Sequence, residues 1–197
     1  MQRTYLLLPV VISVAIYFSL SLYFLPQAYL TQPQVKPLPI ITDVSVSAPE
    51  IKLGESFTVR IVGRNGGESA DLQTVSVAFP NITRTDGIVF VREHDFPQKP
   101  RFIGIGYEIG SAYMGLEKIV HARYPSIEFF SRPWLSNDSH HAEIEVRPDE
   151  AGIFVILVKS VALPHTDDSH YPREGITDHQ GEHVSVYSVD VTANSAK

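Results

Sequence analysis

The stretch LGESFTVRIVGRNGGESADLQTVSVAFP, residues 53–80, decides the fold class. From Ser56 to Gly63 apolar and polar residues alternate, which sets Phe57, Val59 and Ile61 on one side. Successive side chains of a strand point to opposite faces, so a period of two marks a half-buried β-strand. Arg64-Asn65-Gly66-Gly67 is a turn signal, after which Leu72 to Phe79 alternates again. Outward from this pair, strands are expected at 43–48, 87–93, 102–109, 141–147, 152–163 and 183–193, with a second turn signal at Pro148-Asp149-Glu150-Ala151-Gly152. Many short alternating strands between turns predict an all-β antiparallel sandwich, and about 150 residues suffice for its core. One outer helix is expected over Ser111–Ala122, with Leu116, Ile119 and Val120 facing inward.

Residues 53–80 resemble the opening of CARDB-like and related immunoglobulin-like modules of prokaryotic, archaeal-type surface proteins. The shared pattern is a Gly-Glu turn, an alternating strand, an Asn-x-Gly turn and a second alternating strand. VRPDEAGIFVILV (146–158) is similar to the immunoglobulin-type corner that leads into a central strand, here through Asp149, Ala151, Gly152 and Phe154. The resemblance implies an immunoglobulin-like β-sandwich over 43–193, with 194–197 as a tail. Phe154 lacks the hydroxyl of a tyrosine corner, and the chain has no cysteine for an inter-sheet disulfide, so the antibody-type subfamily is set aside.

Toward the amino end the character changes. Residues 1–42 carry two charged side chains, Arg3 and Lys36. Tyr5 to Leu25 is 21 uncharged residues, enough to cross a hydrocarbon core of ~30 Å. The run exceeds a usual signal-peptide core, and the nearest small residue, Ala28, has Pro26 at the −3 position. We therefore expect an uncleaved signal-anchor: 1–4 cytoplasmic, 5–26 a single transmembrane helix, 27–42 a spacer holding Pro26's successors Pro33, Pro37 and Pro39. Arg3 before the helix, with no cation after it until Lys36, places the N-terminus in the cytoplasm and the C-terminal domain outside. Ser13, Tyr17 and Ser21 recur every four residues and would share a helix face open to a partner helix.

Charge and composition exclude several classes. A net charge of −6 lacks the basic footprint of a nucleic-acid binder. The absence of cysteine removes thiolate nucleophiles and Cys-based zinc sites. No G-x-S-x-G and no H-E-x-x-H is present. Gly104-x-Gly106-x-x-x-Gly110 stands without the βαβ unit that a dinucleotide fingerprint needs, and reads as a glycine-rich strand. We expect no enzyme.

Three sets of residues remain as candidate sites. The first is the aromatic and glycine-rich middle, where Gly104 and Gly106 would line one strand face and Tyr107, Tyr113 and Trp134 would meet a partner. The second is the loop LPHTDDSHYPREGITDHQGEH (163–183), where His165, Asp167, His170, His179 and His183 combine imidazole with carboxylate as a copper or zinc site does. Its plainer reading is a solvated polar loop. The third is the pair of glycan acceptor sequons at Asn81 and Asn137. His140-His141 reads as surface. The sum is a membrane-anchored extracytoplasmic interaction module, an accessory subunit of a membrane complex or an envelope attachment protein, without a cofactor. The alternative is a metal-binding (Cu/Zn) ectodomain. In an immunoglobulin-type sandwich the 163–183 loop would share an end with the Asn65–Asp71 turn and the start of the first strand.

Overall fold

The computed structural model describes residues 13–14, 16–17, 35–109 and 121–193. The chain divides into Met1–Gln34 and Val35–Lys197. In the first unit Ser13, Val14, Ile16 and Tyr17 are helical and exposed. Among the described residues no helix is long and apolar enough to cross a membrane. The expected anchor lies otherwise outside them, as do Ser21, Tyr113 and all but the last two residues of the expected helix Ser111–Ala122. His121 and Ala122 themselves are not helical.

The second unit is built of strands: β1 (Pro39–Val46), β2 (Glu50–Lys52), β3 (Phe57–Asn65), β4 (Leu72–Ala78), β5 (Val89–His94), β6 (Arg101–Ile103), β7 (Ser126–Ser131), β8 (Ser139–Val146), β9 (Gly152–Leu163), β10 (His170–Tyr171), β11 (Ile176–Thr177) and β12 (His183–Thr192). A smaller antiparallel sheet has the order β1-β3-β8-β5. A larger sheet has the order β11-β12-β9-β4-β7-β6, with β10 added on β9 and β2 running parallel to the end of β12.

The alternating residues do what their period demands. Phe57, Val59 and Ile61 of β3 meet Val75 and Val77 of β4, Phe154, Ile156 and Val158 of β9 and Ile127 and Phe129 of β7 in one buried cluster. The Phe57 and Phe154 rings touch edge-on, 5.6 Å between centroids, and join one sheet to the other. Two sheets with their apolar faces together are the layers of a β-sandwich.

The Asn65-Gly66-Gly67 signal is a corner between sheets, where a hairpin turn would have kept both strands in one. Asn65 is fully buried. Its Oδ1 accepts the Leu38 and Gly67 amides, each at 3.1 Å. Its Nδ2 donates to the carbonyls of Glu68 (2.7 Å) and Trp134 (3.2 Å). One side chain thus fastens the start of the domain, the corner and the Trp134 turn together. Asp71 N donates to Leu163 O at 2.9 Å, so the 164–183 loop leaves β9 beside this corner, as the sandwich topology predicted.

Two expectations are corrected. The strand expected over 102–109 ends at Ile103. Gly106 has φ +80°, a left-handed backbone, and Tyr107 N closes a turn on Gly104 O at 3.2 Å. A positive φ breaks the extended conformation, so no glycine-lined strand face forms. Trp134, expected to contact a partner, is 0% exposed. It is core, packed on Phe96, with its indole Nε1 donating to Asp138 O at 3.0 Å.

Candidate functional site

The outer face of the larger sheet carries an open groove. Its floor is the outward row of β4, Thr74, Ser76 and Ala78, whose small side chains leave the depression. Leu157 and Val161 of β9 and Ser126 and Glu128 of β7 flank that row. Tyr124, Ala122 and Ile109 form one wall, and Asp178, His179, Gln180 and Glu182 form the other. Ile105 and Tyr107, 52% and 65% exposed, lie on the turn that leads to Ile109 of the groove wall, whereas Phe102, 47% exposed, stands opposite core-facing Ile127 in the register and so on the other face of the sheet. Large apolar side chains left in water at the approach to a concave surface are what an interaction site presents.

Both flanks are held by ion pairs. On one, Arg101 Nη2 donates to Glu128 Oε2 at 2.6 Å. On the other, Lys159 stands among the apolar residues of β9 and its ammonium donates to three acceptors. These are Asp178 Oδ2 at 2.7 Å, Gln180 Oε1 at 2.6 Å and Glu182 Oε2. Asp178 Oδ1 meanwhile accepts the Gln180 and Glu182 amides at 2.8 and 3.1 Å. Burial pushes the Asp178 carboxyl up. The Lys159 ammonium and those two amides outweigh it and hold the group below its ordinary value. The wall is therefore a turn latched to the sheet by one lysine.

The five metal candidates do not converge. The His165 and His170 rings meet edge-on at 4.3 Å. Burial pushes both below the ordinary imidazole value. Each also feels a neighbouring cationic group, His170 for His165, and Lys159 and His183 for His170, against the opposing pull of Glu182. His183 begins β12. His179 turns away to the Tyr124 ring, 5.7 Å between centroids, with Nε2 3.3 Å from His121 O. Asp167 has no part in these contacts, and Asp168 pairs with Arg173 at 3.6 Å. Among the described residues no group of three or more His, Asp or Glu is disposed to hold a metal ion.

Of the remaining candidates, Gly104 and Gly106 shape the turn that presents Tyr107. Both sequon asparagines are exposed yet engaged. Asn81 Oδ1 accepts Val155 N at 2.7 Å, and Asn137 Oδ1 accepts Arg64 Nη2 at 2.9 Å. Asn137 has φ +62°, a conformation that asparagine tolerates better than most residues. Sequence reasoning missed Lys159, Gln180, Arg101 and Glu128. The signal for Lys159 was available: a single lysine within GIFVILVKSVAL calls for an acidic partner. It also read His140 and His141 as bland surface, whereas both face carboxylates, His141 Nδ1 lying 2.8 Å from Asp95 Oδ2.

No protein-family model matches the chain, and no curated relative is found for it. Among solved structures, the chain is similar to AvmM, which catalyses macrocyclization in alchivemycin A biosynthesis, at 12% identity and TM-score 0.42, over 82% of this chain and 91% of that one. It is similar to a CARDB domain from Pyrococcus furiosus solved in complex with di-metal ions, at 9% identity and TM-score 0.36, over 82% and 95% of the two chains. It is also similar to a chain from Corynebacterium diphtheriae named as a membrane-anchored protein, at 12% identity and TM-score 0.39, over 84% of this chain and 38% of that one. At such identities and scores the fold rests on the strand pairing itself.

Proposed function

We propose that the chain is a membrane-anchored extracytoplasmic module that holds another envelope or membrane protein through the groove on its larger sheet. The strand order supports an immunoglobulin-like frame. β1-β3-β8-β5 facing β12-β9-β4 has the four-plus-three arrangement of that sandwich, and β6–β7 extend the second sheet beyond β4. The anchor and outward topology rest on the uncharged run 5–25 and on Arg3. The observation that carries the reading is a groove floored by small side chains on the outer face of the larger sheet, with exposed Ile105 and Tyr107 on the turn that leads into its Ile109 wall. The module acts by binding, and the ion pairs on the two flanks keep the groove's shape.

The test is site-specific photo-crosslinking of the full chain in its own membranes. A benzophenone amino acid at position 107 gives one discrete adduct, and the same probe at exposed Ile153, on the far edge of β9, gives none. Adduct formation falls at least tenfold when Ile105→Asp and Ile109→Asp are combined. Equal labelling at both positions, or an adduct indifferent to those substitutions, overturns the reading. The metal-handling alternative draws on the His165–His170 approach alone; titration of the purified chain with zinc or copper, native against His170→Ala, separates the two.

A further inference from the structure

Five titratable side chains outside the groove stand in a row at the end of the sandwich where β1 begins. His140 lies on β8 opposite Gly63, and its ring is buried against Trp134 (4.9 Å between centroids) and Phe96 (5.2 Å). Its Nδ1 is 3.5 Å from Asp95 Oδ1 and its Nε2 is 3.5 Å from Asp138 Oδ2. Asp95 Oδ1 also accepts the His141 amide at 2.7 Å, and its Oδ2 lies 2.8 Å from His141 Nδ1. His141 Nε2 is in turn 3.7 Å from Glu93 Oε1. Carboxylate and imidazole therefore alternate without a break: Glu93, His141, Asp95, His140, Asp138.

The other charged or titratable groups at this edge, among the described residues, are few. Arg64 of β3 reaches past the row to Asn137 Oδ1. His94 of β5 packs its ring on Phe129 at 6.0 Å. Glu143 of β8 lies opposite Glu93 in the register. With both imidazoles neutral, three carboxylates share the row with no cation between them. With both protonated, each ring stands between two carboxylates. His141 Nδ1 to Asp95 Oδ2 is of hydrogen-bond length, and the other three approaches, at 3.5–3.7 Å, are within ion-pair range.

We propose that this row is a proton-operated clamp: proton uptake by His140 and His141 turns it into an alternation of charges that holds the Pro133–Ser139 turn, with buried Trp134 and exposed Leu135 on it, against β5 and β8. The turn has no β-ladder of its own. Its backbone is tied mainly to Asn65 and Ala70, through Asn137 N to Asn65 O at 2.7 Å, Asn65 N to Asp138 O at 3.0 Å, Asn65 Nδ2 to Trp134 O at 3.2 Å and the Trp134–Ala70 bridge, so that its Asp138 side chain is the part left for the row to hold. Asp95, at the centre, is suited to its part. Burial raises its carboxyl, but the His141 amide and ring outweigh this and keep it below the ordinary carboxylate value. The clamp governs how an exposed leucine and a sequon asparagine are presented, apart from the groove.

The chain supplies its own probe, because Trp134 is its one tryptophan. The full chain in detergent micelles is titrated from about pH 8 to about pH 5, where imidazole ordinarily changes charge. The expected result is a reversible transition in Trp134 emission, together with about fivefold slower exchange of the Asn137 and Asp138 amides after correction for intrinsic rates. His140→Gln abolishes both. Asp138→Asn keeps the backbone carbonyl that binds the indole and removes only charge, and at least halves both changes. An emission transition that survives His140→Gln, amplitude unchanged in Asp138→Asn, or flat emission and exchange in the native chain overturns the proposal. Should His140→Gln fail to fold by far-ultraviolet dichroism, the Asp138→Asn result decides.

Discussion

Gly67 and Asn65 show how little room the corner between the sheets allows. A Cβ on Gly67 would overlap the Lys36 carbonyl and come within 2.7 Å of the Leu38 amide, both backbone atoms that no rotamer change can move. Gly67→Ala is expected to destabilise the domain by about 2–3 kcal/mol, read as a lower denaturant midpoint at unchanged slope. Glycine at 63 has a different reason. A Cβ there would lie 2.8 Å from Val75 Cγ2 and 3.1 Å from the Trp134 ring, so the strand gives up a side chain to admit the indole. Lys159 is the polar counterpart of these positions. Lys159→Met is expected to cost about 2–4 kcal/mol, since it leaves two carboxylates, each largely buried, without their cation. Adding Asp178→Asn and Glu182→Gln to that variant is expected to recover most of the loss. A triply substituted chain no more stable than Lys159→Met would show that the latch is not electrostatic.

At the scale of the element, the 164–183 loop responds to acid in two stages. His165 and His170 are held below 6.5 by burial, so the open loop binds protons that the closed loop refuses. A depressed imidazole contributes stability at neutral pH and loses it as pH falls below that ordinary value. Exchange of the Ala162 amide, which bonds to Ser169 O across the base of the loop, and of the Ser169 amide, which closes a turn on Thr166 O, is expected to quicken as pH drops from about 6.5 to about 5. Asp178 acts in the lower window. Its carboxyl is depressed from 3.8, so its contribution is present above that value and disappears only as pH falls through the lower folded one. Protection of the Gln180 and Glu182 amides should therefore outlast that of Ser169. Loss of all four together would mean that the loop opens as one piece. The strands themselves were readable where they alternate, as in β3, β4 and β9. β7, SIEFFS, was missed although Ile127 and Phe129 alternate inward, because Phe130 lies on its outer face among aromatics that mask the period.

At the scale of the whole molecule, the proposed anchor makes a plain prediction. Full-length chain should resist extraction from membranes by alkaline carbonate and yield to detergent, while protease added outside intact cells should cut the domain and leave the N-terminus protected. Release by carbonate would remove the anchor from the functional reading and leave the sandwich untouched. What residues 1–197 settled unaided is the all-β class and most of the strand positions, because alternation is a local property that strand geometry converts directly into one buried face. The same holds for the proximity of the 163–183 loop to the first strand, which follows from topology once the strands are ordered. The groove, the Lys159 latch and the Glu93–Asp138 row were decided only by tertiary structure. Each joins side chains from segments separated in the chain, strands and the turns laid against them. Whether a charged residue on a strand meets water or a partner depends on what the fold lays over that face, and no local pattern encodes it.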